Sequence, residues 1–175
     1  MAVLLGVAAY GVAVAAVPLA LVLPHELGHA LAALLAGSRW ARVEVGVPPR
    51  PIRFRLGGLS TELRLLDFRP RNFWFGRTLS DWDSLSRTGD AVSLAAGPLA
   101  TVILTCVYGA IGLGLGGAPR VFLLTLAVGG LWTLAVTVPP LRYGRFFGAF
   151  AGSTSDGYKL VQLFRDQPEI SAADS

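Results

Sequence analysis

Residues Met1–Gly37 read MAVLLGVAAYGVAVAAVPLALVLPHELGHALAALLAG. No Lys, Arg, Asp, Glu or His precedes His25, and after it only Glu26 and His29 interrupt the apolar run. About 20 apolar residues carry a helix across about 30 Å of hydrocarbon, so this stretch is long enough to span a membrane. It lacks the basic n-region of a signal peptide and runs on too far, and it reads as a retained helix. Two further charge-free stretches, Ala91–Pro119 and Val121–Leu141, exceed the same length. The expected fold class is a mainly α, polytopic membrane protein with three transmembrane helices. They cover roughly 2–36, 91–115 and 120–138, the first with room for a kink.

Composition agrees with that reading. Of the 175 residues, 53% are hydrophobic and 15% are charged, where a soluble domain carries about 25% charge. A water-soluble globule and a disordered chain are both excluded on these values. The single Cys rules out an internal disulfide and a Cys-rich metal cluster. Any metal site must therefore be built from His and carboxylates.

The basic residues set the orientation. Ten of the fifteen lie between Ser38 and Asp90, four follow the third span, and only Arg120 lies between spans two and three. The positive-inside rule places the N-terminus outside and the large loop and C-terminus in the cytoplasm. The net charge of +4 then reflects this bias and attraction to anionic headgroups in the lipid bilayer. No nucleic-acid-binding motif occurs.

Within the insert of roughly 40–88 the periodicity changes from helical to alternating. Arg42–Val47, Ile52–Leu56 and Thr61–Leu65 read as short strands joined at Pro48-Pro49 and Gly57-Gly58, forming a small cytoplasmic or membrane-associated β-hairpin or sheet. From Phe68 to Trp82, aromatic residues (Phe68, Phe73, Trp74, Phe75, Trp82) alternate with Arg69, Arg71 and Arg77, which suits a segment in the membrane interface. Leu160, Val161, Leu163 and Phe164 mark a short C-terminal helix. Residues 1–166 form a single core, and Gln167–Ser175 a frayed tail.

Pro24-His25-Glu26-Leu27-Gly28-His29-Ala30 carries the chemistry. One helical turn separates His25 from His29, so both imidazoles project from one face and can hold one Zn, with Glu26 beside them as general base. These are the only two histidines. Random placement would set them four apart with a Glu after the first about three times in ten thousand. The bland alternative is a buried, hydrogen-bonded histidine pair with a helix-capping Glu; against it, ionisable groups inside a span are costly and by default functional.

A catalytic Zn takes three protein ligands and leaves a position for water. Cys106, midway along the second span, reads most simply as a small packing residue. Asp156, in Ser153-Thr154-Ser155-Asp156-Gly157-Tyr158, stands just past the third span at the start of a helical pattern. Spacing leaves both a ligand role and a plain N-cap role open to it.

Three elements together resemble the site-2 protease family of intramembrane zinc metalloproteases. His25-Glu26-Leu27-Gly28-His29 is similar to its His-Glu-x-x-His; Ser93-Leu94-Ala95-Ala96-Gly97-Pro98 to its Ala-Gly-Pro; and Asp156-Gly157 to its Asp-Gly. The resemblance implies His25, His29 and Asp156 as ligands to one Zn2+ per chain and Glu26 as the catalytic base. It also implies a membrane-associated β-hairpin after the first helix. On this resemblance the chain would be a minimal core without a PDZ domain. One departure concerns the Asn and Pro that the family usually carries shortly before Asp-Gly. Here Thr137-Val138-Pro139-Pro140 occupies that place, and the residues from Pro140 to Ser155 separate it from Asp156.

Gly97-Pro98 reads as packing that brings span two against the metal helix, with Gly109, Gly112, Gly114, Gly116 and Gly117 continuing a stripe of small residues. The expected function is zinc-dependent intramembrane cleavage of transmembrane or membrane-anchored proteins, in an integral protein of a bacterial or archaeal cell membrane. Strands at Val43–Val47 or Ile52–Leu56 would hold an extended substrate by strand addition. The alternative is a non-catalytic membrane protein that keeps a structural metal site and binds client helices. A metal-ion transporter is weaker, because spans two and three offer few polar groups along their length.

Overall fold

The computed structural model describes residues 1–46, 52–63 and 76–165. Helix α1 (Ala2–Val17) continues through a π-helical turn, Pro18–Val22, into α2 (Leu23–Leu35). Pro18 has no N–H and its ring crowds the carbonyl one turn back. The chain widens there, and the Leu23 N–H donates to the Pro18 carbonyl, five residues back. This widened turn is the expected irregularity of the first span. Helix α2 stops at Gly37, whose φ of 112° lets the Ser38 N–H reach back to the Ala33 carbonyl at 2.9 Å.

Among the described residues four short strands follow: β1 (Ala41–Val45), β2 (Ile52–Leu56), β3 (Leu59–Leu63) and β4 (Gly76–Ser80). The sheet order is β2-β3-β1-β4. A hairpin at Gly57-Gly58 joins β2 to β3; β1 runs parallel to β3 and antiparallel to β4. Ala41, Val43 and Val45 alternate onto one buried face and join the core with Val17, Leu21, Val22 and Ala30.

Two findings here differ from the sequence reading. Strand β4 falls in a stretch expected to be an interfacial aromatic segment, and it exists because its backbone pairs with β1. Strand β1 is interior and bonded on both edges, so the strand expected at Val43–Val47 cannot accept an added strand. The expectations for Val47, Pro48-Pro49, Arg64, Leu65, Phe68, Arg69, Arg71, Phe73–Phe75 and Gln167–Ser175 lie outside the described residues.

Helix α3 (Arg87–Gly114) is capped by Ser86, whose Oγ accepts from the Gly89 N–H at 3.1 Å. It turns back into α4 (Gly117–Thr137). Among the described residues, three segments are long and apolar enough to cross a membrane: Ala2–Leu35, Arg87–Gly114 and Gly117–Thr137. Their outer faces expose Val3, Leu4, Val7, Leu113, Val128 and Leu131, a distribution suited to hydrocarbon. Helix α2 packs between α3 on one side and β1 and β4 on the other.

The small-residue stripe divides into parts. Gly97 faces α2, where a methyl on the opposing Gly28 would stand 3.2 Å from the Gly97 Cα, and a methyl on Gly112 would press on Leu124 of α4. Gly114, Gly116 and Gly117 face open space and belong to the α3–α4 turn.

Beyond α4 the chain makes a closed excursion and returns to α5 (Asp156–Arg165). Tyr143 and Ser153 pair their backbones (2.9 Å), Arg142 bridges to Thr154, and the Ser155 N–H donates to the Leu141 carbonyl at 3.0 Å. Ser155 Oγ donates to the Pro139 carbonyl at 2.6 Å and accepts the Tyr158 N–H at 3.1 Å. Ser155, not Asp156, thus caps α5. The residues that separate Pro139-Pro140 from Asp156 in sequence form a loop whose ends meet, and Asp156 emerges beside the end of α4.

Candidate metal centre

His25 and His29, one turn apart on α2, stand edge to face with ring centroids 4.9 Å apart. Their Nε2 atoms approach to 3.2 Å. Asp156 Oδ2 completes a triangle, 3.1 Å from His25 Nε2 and 3.3 Å from His29 Nε2. Both histidines are buried, at 3% and 5% exposure. Among the described residues this is the group of His, Cys, Asp and Glu that could hold a metal ion.

Each ring is oriented from behind by α3. The His29 Nδ1–H donates to the Ser93 carbonyl at 2.7 Å. A carbonyl only accepts, so Nδ1 carries the hydrogen and Nε2 of the neutral ring presents a lone pair. Ser93 Oγ returns a hydrogen bond to the His29 carbonyl at 3.0 Å. His25 Nδ1 lies 2.8 Å from Thr101 Oγ1. Gly97 sits against the His29 ring so closely that a methyl there would overlap Nε2.

The donor set fits zinc by chemistry and by spacing. Ligand bonds of roughly 2.0–2.1 Å in a tetrahedron put ligand atoms about 3.3–3.4 Å apart, and the observed edges are 3.1–3.3 Å. Asp156 supplies the one carboxylate of this group. Its second oxygen, Oδ1, lies 3.6 Å from Lys159 Nζ. Gly157 is required for this placement, because a methyl there would overlap the Val138 carbonyl.

Glu26 follows His25 on α2 and is also buried, at 8% exposure. Thr78 of β4 donates from Oγ1 to the Glu26 side chain or main-chain carbonyl, both at 2.8 Å. Gly76 lets β4 approach, since a methyl there would stand 2.7 Å from Glu26 Oε1. Together these groups border a cavity of about 440 Å³, walled by Trp82, Trp132, Tyr143, Phe146 and Phe147. The Tyr143 phenol is raised, first by burial and then by the charges of Asp156 and Glu26. It stays neutral and donates to the Val136 carbonyl at 3.0 Å.

All four residues singled out from the sequence, His25, Glu26, His29 and Asp156, border this one cavity. Cys106 does not; its side chain is exposed on α3. Thr137 lines the cavity, and its hydroxyl donates into its own helix at the Thr133 carbonyl (2.9 Å). Sequence reasoning missed Ser93, Thr101, Thr78 and Tyr143. For Ser93 and Thr101 a signal existed: with Gly97 they recur every fourth residue, on one helix face.

Residues 13–171 match peptidase family M50. The chain belongs to this family, the site-2 proteases, and is a membrane metalloprotease by that membership. Comparison with curated proteins and with solved structures gives no match.

Proposed function

We propose that the chain is a zinc-dependent intramembrane endopeptidase that cuts membrane-anchored proteins. In this reading His25, His29 and Asp156 hold one zinc ion, Glu26 is the general base, and the N-terminus faces outside. The observation that carries it is the 3.1–3.3 Å triangle of Nε2, Nε2 and Oδ2 opening on the same cavity as Glu26. A purely structural metal site is closed by a fourth ligand; a triad bordering a cavity of about 440 Å³ favours the catalytic reading.

When bound, zinc supplies Lewis-acid polarisation of the scissile carbonyl and acidifies water. Glu26 takes a proton from the attacking water and returns it to the leaving amine. Thr78 steadies the Glu26 carboxylate through its hydroxyl. The cavity lining is mostly apolar, which lowers the local polarity and strengthens each of these electrostatic contacts.

A transmembrane substrate is helical, with its backbone amides already paired, so it must unwind to be cut. Strand β4 supports a binding mode for the unwound segment. Among the described residues it pairs only with β1, and so has a free edge beside Glu26. The Asp81 N–H donates to the Trp40 carbonyl. By antiparallel alternation, Arg77 and Leu79 then bond to β1, while Gly76 and Thr78 turn their backbone groups outward. Strand β2 (Ile52–Leu56), the other strand expected to take a substrate, also lies at a sheet edge, but none of its residues borders the cavity while Gly76 and Thr78 do, so strand addition is assigned to β4.

The experiment is cleavage of a reconstituted transmembrane substrate by the wild-type chain and by Glu26→Gln. Cleavage is expected from the former and its loss in the latter. Equal activity in both would refute the assignment.

A further inference from the structure

Thr101 is fully buried on α3, one turn beyond Gly97. Its Oγ1 donates to the Gly97 carbonyl at 3.2 Å and lies 2.8 Å from His25 Nδ1. A hydroxyl has one proton to give. With that proton on Gly97, Thr101 offers His25 only a lone pair, so the hydrogen between them belongs to His25 Nδ1. Nε2 is then bare, and it is the atom turned toward His29 Nε2 and Asp156 Oδ2.

We propose that Thr101 is a positioning residue for the metal centre: it fixes the tautomer and ring plane of His25 and thereby raises affinity for zinc. The inference rests on the zinc reading above and adds to it a removable orienting group. His29 receives the same service from the Ser93 main-chain carbonyl, which no substitution deletes. His25 depends on a side chain. The Gly97 carbonyl anchors that side chain while its missing Cβ makes room for His29, so one face of α3 sets both imidazoles. Groups in such outer positions commonly contribute 10–100-fold in metal affinity.

The test measures zinc affinity of the full-length chain in lipid nanodiscs, by competition with a chromophoric chelator, for wild type, Thr101→Val and Thr101→Ser. Thr101→Val keeps the shape and removes the hydroxyl; Thr101→Ser restores it. The expected result is zinc binding weakened by about 10–100-fold in Thr101→Val and returned to near the wild-type value in Thr101→Ser. As a second measurement, independent of any variant, nitrogen NMR of zinc-loaded wild type should show His25 protonated at Nδ1. Equal affinity in wild type and Thr101→Val would overturn the inference alone, whereas a His25 protonated at Nε2 in the zinc-loaded chain would contradict the Nε2 triangle and overturn the metal reading with it. A wild-type chain that binds no zinc would overturn the metal reading itself.

Discussion

Gly97 of α3 faces the His29 ring of α2, and the space that a Cβ at position 97 would need is already filled by the ring edge that carries Nε2. A side chain at position 97 must push that imidazole out of the triangle it makes with His25 and Asp156. Overpacking of this kind costs about 1–3 kcal/mol. Gly97→Ala is therefore expected to weaken zinc binding by roughly 5- to 150-fold, measured by chelator competition. Gly114→Ala, at a position facing open space, should leave it unchanged.

Gly157 makes an equally close contact, with the Val138 carbonyl at the end of α4. Gly157→Ala would lift the first turn of α5 and carry Asp156 with it. A displacement of about 1 Å at a reacting site costs on the order of 100-fold. Cleavage of a transmembrane substrate should fall by about that factor, while circular dichroism shows the helical content of wild type.

Thr78 touches Glu26 and none of the three candidate ligands. Thr78→Val should therefore leave zinc stoichiometry intact and lower kcat by roughly 10-fold, the scale of one lost hydrogen bond to a charged group. A parallel loss of zinc would show that β4 supports the metal instead of the base.

Strand addition at β4 predicts an alternating pattern in the substrate. In a series of substrate peptides each N-methylated at one backbone amide, methylation at every second position next to the scissile bond should abolish cleavage. The intervening positions should tolerate it. Uniform tolerance across the series would remove β4 from substrate binding.

Much of this architecture is written in the distribution of charge. The three spans follow from stretches without Lys, Arg, Asp or Glu, because lipid forbids unpaired charge regardless of tertiary detail. His25, Glu26 and His29 are legible because helical geometry alone places their side chains. Strand β4 is not. Gly76-Arg77-Thr78-Leu79-Ser80 has no apolar alternation of its own, and its conformation comes from pairing with β1, about 35 positions away in sequence. The long excursion before Asp156 is visible as a break in the family pattern, yet its closure depends on Ser155 meeting Pro139 and Leu141, contacts that no local rule specifies. Thr101 was legible only in outline, as one position of the Ser93-Gly97-Thr101 face.

The most direct measurement is X-ray absorption at the zinc edge on the purified full-length chain, beside Asp156→Ala. The expected result is one zinc per chain with nitrogen and oxygen neighbours at about 2.0–2.2 Å, two of them imidazoles, and zinc binding weakened or lost in Asp156→Ala. A wild-type chain without zinc, or an Asp156→Ala chain whose zinc affinity and absorption spectrum match wild type, would contradict it.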